Sequence, residues 1–236
     1  QKLSCYDEAI DIRIESAECF RQAENYLEAG KTYAWAIDLT LNKETKYSND
    51  FQWLFDAYIS SAECFEKGGD YKRASGKYDS AAYFAAQKLH DSESSIRYNV
   101  KSAECAVKSA EELLADDNLQ EALVMFKKAV KEYTFAATLS KVNLNNKTDS
   151  AFYNSLAGDI CFKAANLYNQ TGQSDLEKKA WKNAANHYAI TMKMYYLLKD
   201  KTLAEEFKLK AAMAYENAGM FEEAQDLFKS VSYTHL

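Results

Sequence analysis

The sequence predicts an all-α fold, an α-solenoid of about five antiparallel helix hairpins rather than one globular core, and three observations carry this. One cadence recurs, as SAECFRQAENYLEAGKTYAWAI from Ser16 to Ile37, SAECFEKGGDYKRASGKYDSAA from Ser61 and SAEELLADDNLQEALVMFKKAV from Ser109. Looser copies begin at Ala164 and Ala211. Self-similarity of this kind marks repeated stacking of one supersecondary unit. The 236 residues include no proline and only seven glycines, so the residues that break helices are scarce. The large and small apolar residues recur at intervals of three and four, which puts them on one helical face.

Aligning the copies justifies each element. A large apolar slot reads Phe20, Phe65, Leu113 and, in the fifth copy, Tyr215. Six residues on come Tyr26, Tyr71, Leu119 and Phe221. Alanines follow at Ala29, Ala74, Ala122 and Ala224, then aromatics at Tyr33, Tyr78, Phe126 and Phe228, then Ala36, Ala81 and Ala129. Small residues alternating with aromatics make a surface on which two helices can approach closely. This stripe is expected to be core, not a cofactor box.

Between the first two slots lie turn signals: Glu24–Asn25, Gly68–Gly69–Asp70, Asp116–Asp117–Asn118 and Gly219. Such residues end one helix and cap the next. Asn118-x-x-Glu121, Ser174-x-x-Glu177 and Thr202-x-x-Glu205 match the capping-box pattern. Polar joins at 42–50, 90–94, 142–149 and 199–202 separate the pairs. The expected hairpins lie near 6–42, 50–89, 94–141, 150–199 and 202–230, forming one helical-repeat domain over 1–230.

Copy starts lie 45 (16 to 61), 48 (61 to 109), 55 (109 to 164) and 47 (164 to 211) residues apart. A standard tetratricopeptide unit is about 34 residues, so these helices are longer. The join at Val142 to Asp149 reads as an insertion. The fourth copy is degenerate, and its alanine slot is either Ala180 or Ala184. At the C-terminus, VSYTHL (231–236) resembles a translated sequencing adapter, so it is set aside as a non-native tail. The chain has no initiator methionine either, and is expected to begin inside something longer or to have been trimmed.

A formal net charge of −6 gives no reason to expect nucleic acid, whose partners present cationic surfaces. Hydrophobic residues at 47% and charged residues at 27% fit a folded chain, and no apolar run is long enough to span a bilayer. The five cysteines are widely spaced and odd in number, without C-x-x-C, which reads as structural thiols in a reducing compartment. His90, His187 and His235 lie far apart without ligand spacing. There is no phosphate-cradling glycine loop and no nucleophile signature. No catalytic residue, metal or cofactor is therefore assigned, and the chain is expected not to be an enzyme.

Basic clusters recur on the expected second helices: Lys72, Arg73 and Lys77; Lys127, Lys128 and Lys131; Lys178, Lys179 and Lys182. They are the candidate partner-binding residues, either as solvated faces or as a shared basic groove.

The stretch AECFRQAENYLEAGKTYAWAIDL resembles the first repeats of the soluble NSF attachment proteins, a tetratricopeptide-like family of adaptors in membrane fusion. The architectural resemblance covers about 16–230 and is specific over 16–41 and 61–85. It implies a right-handed superhelical twist and a concave face laid on a SNARE-like helical bundle. It also implies recruitment of a hexameric ATPase in vesicle trafficking, and a cytoplasmic protein with at most peripheral membrane association. No residue-by-residue transfer of that family's basic groove onto Arg97, Lys101 and Lys108 follows. The alternative expectation is a general tetratricopeptide-like scaffold gripping a peptide or extended segment of another protein. A third, an all-helical enzyme or regulator, has no motif behind it.

Overall fold

A computed structural model describes residues 5–229. Among the described residues there are ten α-helices and no strand: α1 (Cys5–Gln22), α2 (Tyr26–Asn42), α3 (Phe51–Lys67), α4 (Tyr71–Gln87), α5 (Ser92–Ala115), α6 (Leu119–Val142), α7 (Lys147–Gln170), α8 (Ser174–Leu197), α9 (Lys201–Asn217) and α10 (Phe221–Lys229). They fall into two compact units, residues 1–112 and 113–236, with the boundary inside α5. In the first, α1 packs on α2, α2 on α3 and α3 on α4. In the second, packing runs through α6, α7, α8, α9 and α10 in chain order. The proposed tail at 231–236 lies outside the described residues.

One turn geometry closes all five hairpins. The N–H of Asn25, Asp70, Asn118, Gln173 and Met220 donates to the carbonyl of Phe20, Phe65, Leu113, Tyr168 and Tyr215 in turn, at 2.7 to 2.9 Å. The residue before each donor has positive φ: Glu24, Gly69, Asp117, Gly172 and Gly219. This six-to-one bond with a left-handed residue is the Schellman motif, which satisfies carbonyls left over at a helix end. Five non-homologous-looking turns thus share one backbone solution.

That shared turn resolves the register of the fourth hairpin. Counting from the turn donor, the aromatic slot eight residues on holds Tyr33, Tyr78, Phe126, Trp181 and Phe228. Ala184, fully buried, takes the alanine slot three residues later, in line with Ala36, Ala81 and Ala129. The earlier alanine slot is filled by Glu177, whose Oε1 accepts from Trp181 Nε1 at 3.3 Å. The indole also meets Phe162 of α7 edge-on at 4.9 Å. A larger ring has replaced the phenylalanine or tyrosine of the other copies, and a carboxylate has replaced a methyl to receive its N–H.

Three sequence expectations are corrected. Ser174 and Thr202 do not cap their helices. Gln173 precedes α8 without a side-chain cap bond, and Asp200 caps α9 by accepting from Leu203 N at 3.1 Å. An aspartate placed one residue before the helix captures the amide before a threonine further in can do so. Asn118 does cap α6, accepting from Glu121 N at 3.4 Å. Nor is there an insertion loop at 142–149, because only residues 143–146 separate α6 from α7. The longer period is absorbed by helix length: α5 to α8 have 24 residues where α2, α3, α4 and α9 have 17. Seven residues are about two helical turns, so the stripe stays in phase. Finally, the cysteines divide. Cys64, Cys105 and Cys161 are buried, but Cys5 and Cys19 are exposed, and all five are free thiols.

Packing within pairs rests on small residues facing rings. Ala29, Ala74, Ala122 and Ala184 have no exposed surface, and Tyr78 and Phe126 are buried to within 1%. At Gly30 a methyl would lie 3.0 Å from the Phe65 ring, and Ser61 Oγ donates to the Gly30 carbonyl at 2.9 Å, so α2 and α3 nearly touch. Gly158 is tighter: a Cβ there would meet Tyr188 Cε1 at 2.7 Å. The Tyr188 hydroxyl donates to Asp159 Oδ1 at 2.7 Å, which holds the ring against Gly158. Gly158→Ala is expected to lower stability by about 1–3 kcal/mol through overpacking, measured by chemical denaturation. An unchanged midpoint would show that α7 and α8 can separate at no cost.

Candidate functional site

Three helices of the second unit enclose a groove of about 310 Å³. Its floor comes largely from α7, where Ile160, Cys161, Ala164 and Tyr168 project on one face. Phe126 and Val130 of α6 and Leu176 and Ala180 of α8 extend the apolar lining up both sides. The rim is polar: Lys127 and Lys131 from α6, Lys179 and Asn183 from α8. Each pair is four residues apart, so each wall carries its polar groups one turn apart on a single face. No carboxylate lines the groove.

The geometry follows from the slots. Phe126 is the aromatic-slot residue and turns inward, which leaves the next position, Lys127, outward on the groove side. Lys131, one turn further, is largely exposed, and its Nζ also reaches the buried Glu132 Oε1 at 3.2 Å. On α8, Ala180 precedes Trp181 in the packed face, so Lys179 stands at its edge. Cys161 at the floor is chemically quiet: burial pushes its thiol up to about 12, so the nucleophilic thiolate is essentially absent at neutral pH.

The structure therefore brings together Lys127, Lys131 and Lys179 of the sequence-predicted set. Lys128 is half-buried on another face of α6, and Lys178 and Lys182 are exposed on α8 outside the groove lining. The α4 cluster has a different character. Arg73 pairs with Asp70 at 2.5 Å and stacks its guanidinium on Phe65 at 4.8 Å. Lys77 is half-buried with its Nζ 5.5 Å from the Tyr58 ring centroid, and burial lowers its pKa. Lys72 is exposed on the same helix. Nearby, Lys101 and Lys108 lie over Tyr78 and Tyr71 at 5.0 and 5.1 Å, and Lys108 reaches Glu66 Oε1 at 3.2 Å. In this unit cations are built into the packing of aromatic rings; Glu66 Oε2 also accepts from Tyr78 at 2.8 Å.

Sequence reasoning missed the apolar half of the groove. Ile160, Ala164 and Leu176 sit in the degenerate fourth copy, and only the register set by the Trp181 slot shows which way they face. Among the described residues no group of three His, Cys, Asp or Glu is placed to hold a metal ion, and no helix is long and apolar enough to cross a membrane.

Among the described residues the chain is thus built of antiparallel α-helical hairpins. No family model matches it, and no curated protein does. Solved structures that it is similar to include the nearly identical TPR-like repeats of a Podosopora anserina protein, at TM-score 0.38 and 15% identity over 95% of this chain and 93% of that one. Another is the de novo designed helical repeat protein DHR64, at TM-score 0.35 and 14% identity over 95% and 98%. A third is a tetratricopeptide repeat protein from Parabacteroides merdae, at TM-score 0.26 and 15% identity over 94% and 98%. At such scores the fold rests on the chain's own helices and turns.

One titrating group reports on the packing beneath the groove. His187 of α8 faces α7, its Nδ1 3.2 Å from Asn154 Oδ1, and burial lowers its pKa from the ordinary 6.5. A base with a depressed folded pKa stays neutral in the fold while the unfolded chain takes up a proton. Stability is then full above 6.5 and falls as pH drops from there toward the folded value. Denaturation midpoints should decline through that window in the natural chain, and His187→Gln should flatten this part of the slope. An unaltered slope would assign it to other groups.

Proposed function

We propose that this protein is a non-catalytic interaction scaffold that holds a segment of another protein in the groove between α6 and α8. The observation that carries this is the groove itself: an apolar floor, open to solvent, rimmed by three lysines with no acidic residue among its lining. Hydrophobic contact supplies affinity there, while the rim charges set orientation and association rate. Stacked hairpins serve such a role well, because the repeat residues hold the frame and leave intervening positions to vary.

The finer reading, an adaptor of the soluble NSF attachment type on a SNARE-like bundle with a hexameric ATPase, calls for a basic strip continued from hairpin to hairpin. The three clusters begin at different heights. Lys72 lies two residues beyond its turn donor Asp70, Lys127 nine beyond Asn118, and Lys178 five beyond Gln173. This favours a local grip on one segment over a continuous strip, and so favours the general scaffold.

Selection of displayed protein-derived segments against the full chain, followed by fluorescence titration, tests the reading. Selected segments should bind with micromolar Kd and lose about tenfold when Ala164→Leu fills the floor, given that a filled pocket removes a central contact. Affinity indifferent to Ala164→Leu in a variant of unchanged helicity would overturn it.

A further inference from the structure

Resting on that reading, we infer that the groove's occupant is an amphipathic α-helix whose apolar stripe is flanked by carboxylates on both sides. The floor decides the conformation. Ile160, Ala164 and Tyr168 succeed one another at four-residue intervals along α7 and span about 12 Å, or two helical turns. An extended segment laid there would press its backbone amides and carbonyls against Ile160 and Ala164, with only the Tyr168 hydroxyl and the weak Cys161 thiol along the floor to bond them. The α6, α7 and α8 backbones beneath are already committed to their own helices. Asn183 is the one neutral side-chain amide in the lining, and lysines only donate. Buried backbone groups without partners are costly. A helix satisfies its own and presents only side chains.

The walls decide the charge. Lys127 and Lys131 stand one turn apart on α6, and Lys179 stands across the floor on α8. A helix seated between them must meet ammonium groups on both flanks. Carboxylates four residues apart on one side match the Lys127 and Lys131 spacing, and one on the other side meets Lys179. Lysine flanks on the occupant would be repelled from both walls, since no carboxylate is among the lining residues and the Glu132 carboxylate that Lys131 reaches is buried.

The experiment uses three labelled synthetic 16-residue peptides with one shared apolar stripe: Glu-flanked, Lys-flanked, and Glu-flanked with a central proline. Each is titrated against the natural chain and against the Lys127→Glu/Lys179→Glu variant. Both substituted residues are exposed, and unchanged melting of the variant confirms its fold. The expected result is binding of the Glu-flanked helix that weakens with added salt and drops about tenfold on the variant. The Lys-flanked peptide should gain affinity there, and the proline peptide should bind poorly throughout. Equal binding of the proline peptide overturns the helical occupant, and affinity blind to the charge reversal overturns the acidic flanks. If segments selected from proteins occupy the groove but no Glu-flanked helix does, this inference fails while the scaffold reading stands. If neither binds, both fail.

Discussion

Everything in this chain depends on two helices lying close enough for a ring on one to seat against a methyl or a hydrogen on the other. The Gly158 and Tyr188 crossing is the extreme case, with no space for even a Cβ. Gly30 against the Phe65 ring is a milder case, and Ala29, Ala74, Ala122 and Ala184 are likewise fully buried. Because the Schellman turn fixes how many residues lie between helix end and ring, the seat and the ring always meet. Local turn chemistry and tertiary packing therefore agree, which is what makes a repeated unit fold to one register.

The same constraint separates structure from function. Residues that repeat are consumed by the hairpin interior, including hydroxyl groups that could look reactive. Tyr33, Tyr78 and Tyr188 donate to Glu18, Glu66 and Asp159, so burial and a neighbouring carboxylate both hold their phenols protonated. What is left for a partner lies between packed faces. On α6 a one-residue step from Phe126 to Lys127 passes from core to groove rim. The groove is thus placed by the packing and shares Phe126, Cys161, Tyr168 and Ala180 with it, while its rim lysines lie outside the core.

The hairpins were legible because their signals are local. Gly68–Gly69–Asp70 and Asp116–Asp117–Asn118 announce turns, and the alanine and aromatic slots announce one face. The register of the fourth hairpin was not, because Trp181 fills the aromatic slot with a larger ring while Glu177 stands in the alanine slot before it. A pair that swaps size and polarity together keeps the packing while erasing the pattern. The site was half legible: lysines at helical spacing stand out in the sequence, yet their convergence needs the helices to be set side by side. Arg73 and Lys77 look the same in sequence and are spent on Asp70, Phe65 and Tyr58.

The division between packed slots and functional rim is tested most directly by chemical denaturation of two single variants on α8, Ala184→Leu in the buried slot and Lys179→Glu at the rim. A leucine in the fully buried slot should cost about 1–3 kcal/mol, whereas the exposed rim substitution should stay within about 0.5 kcal/mol of the natural chain. Equal losses, or a tolerant slot beside a costly rim, would contradict the account.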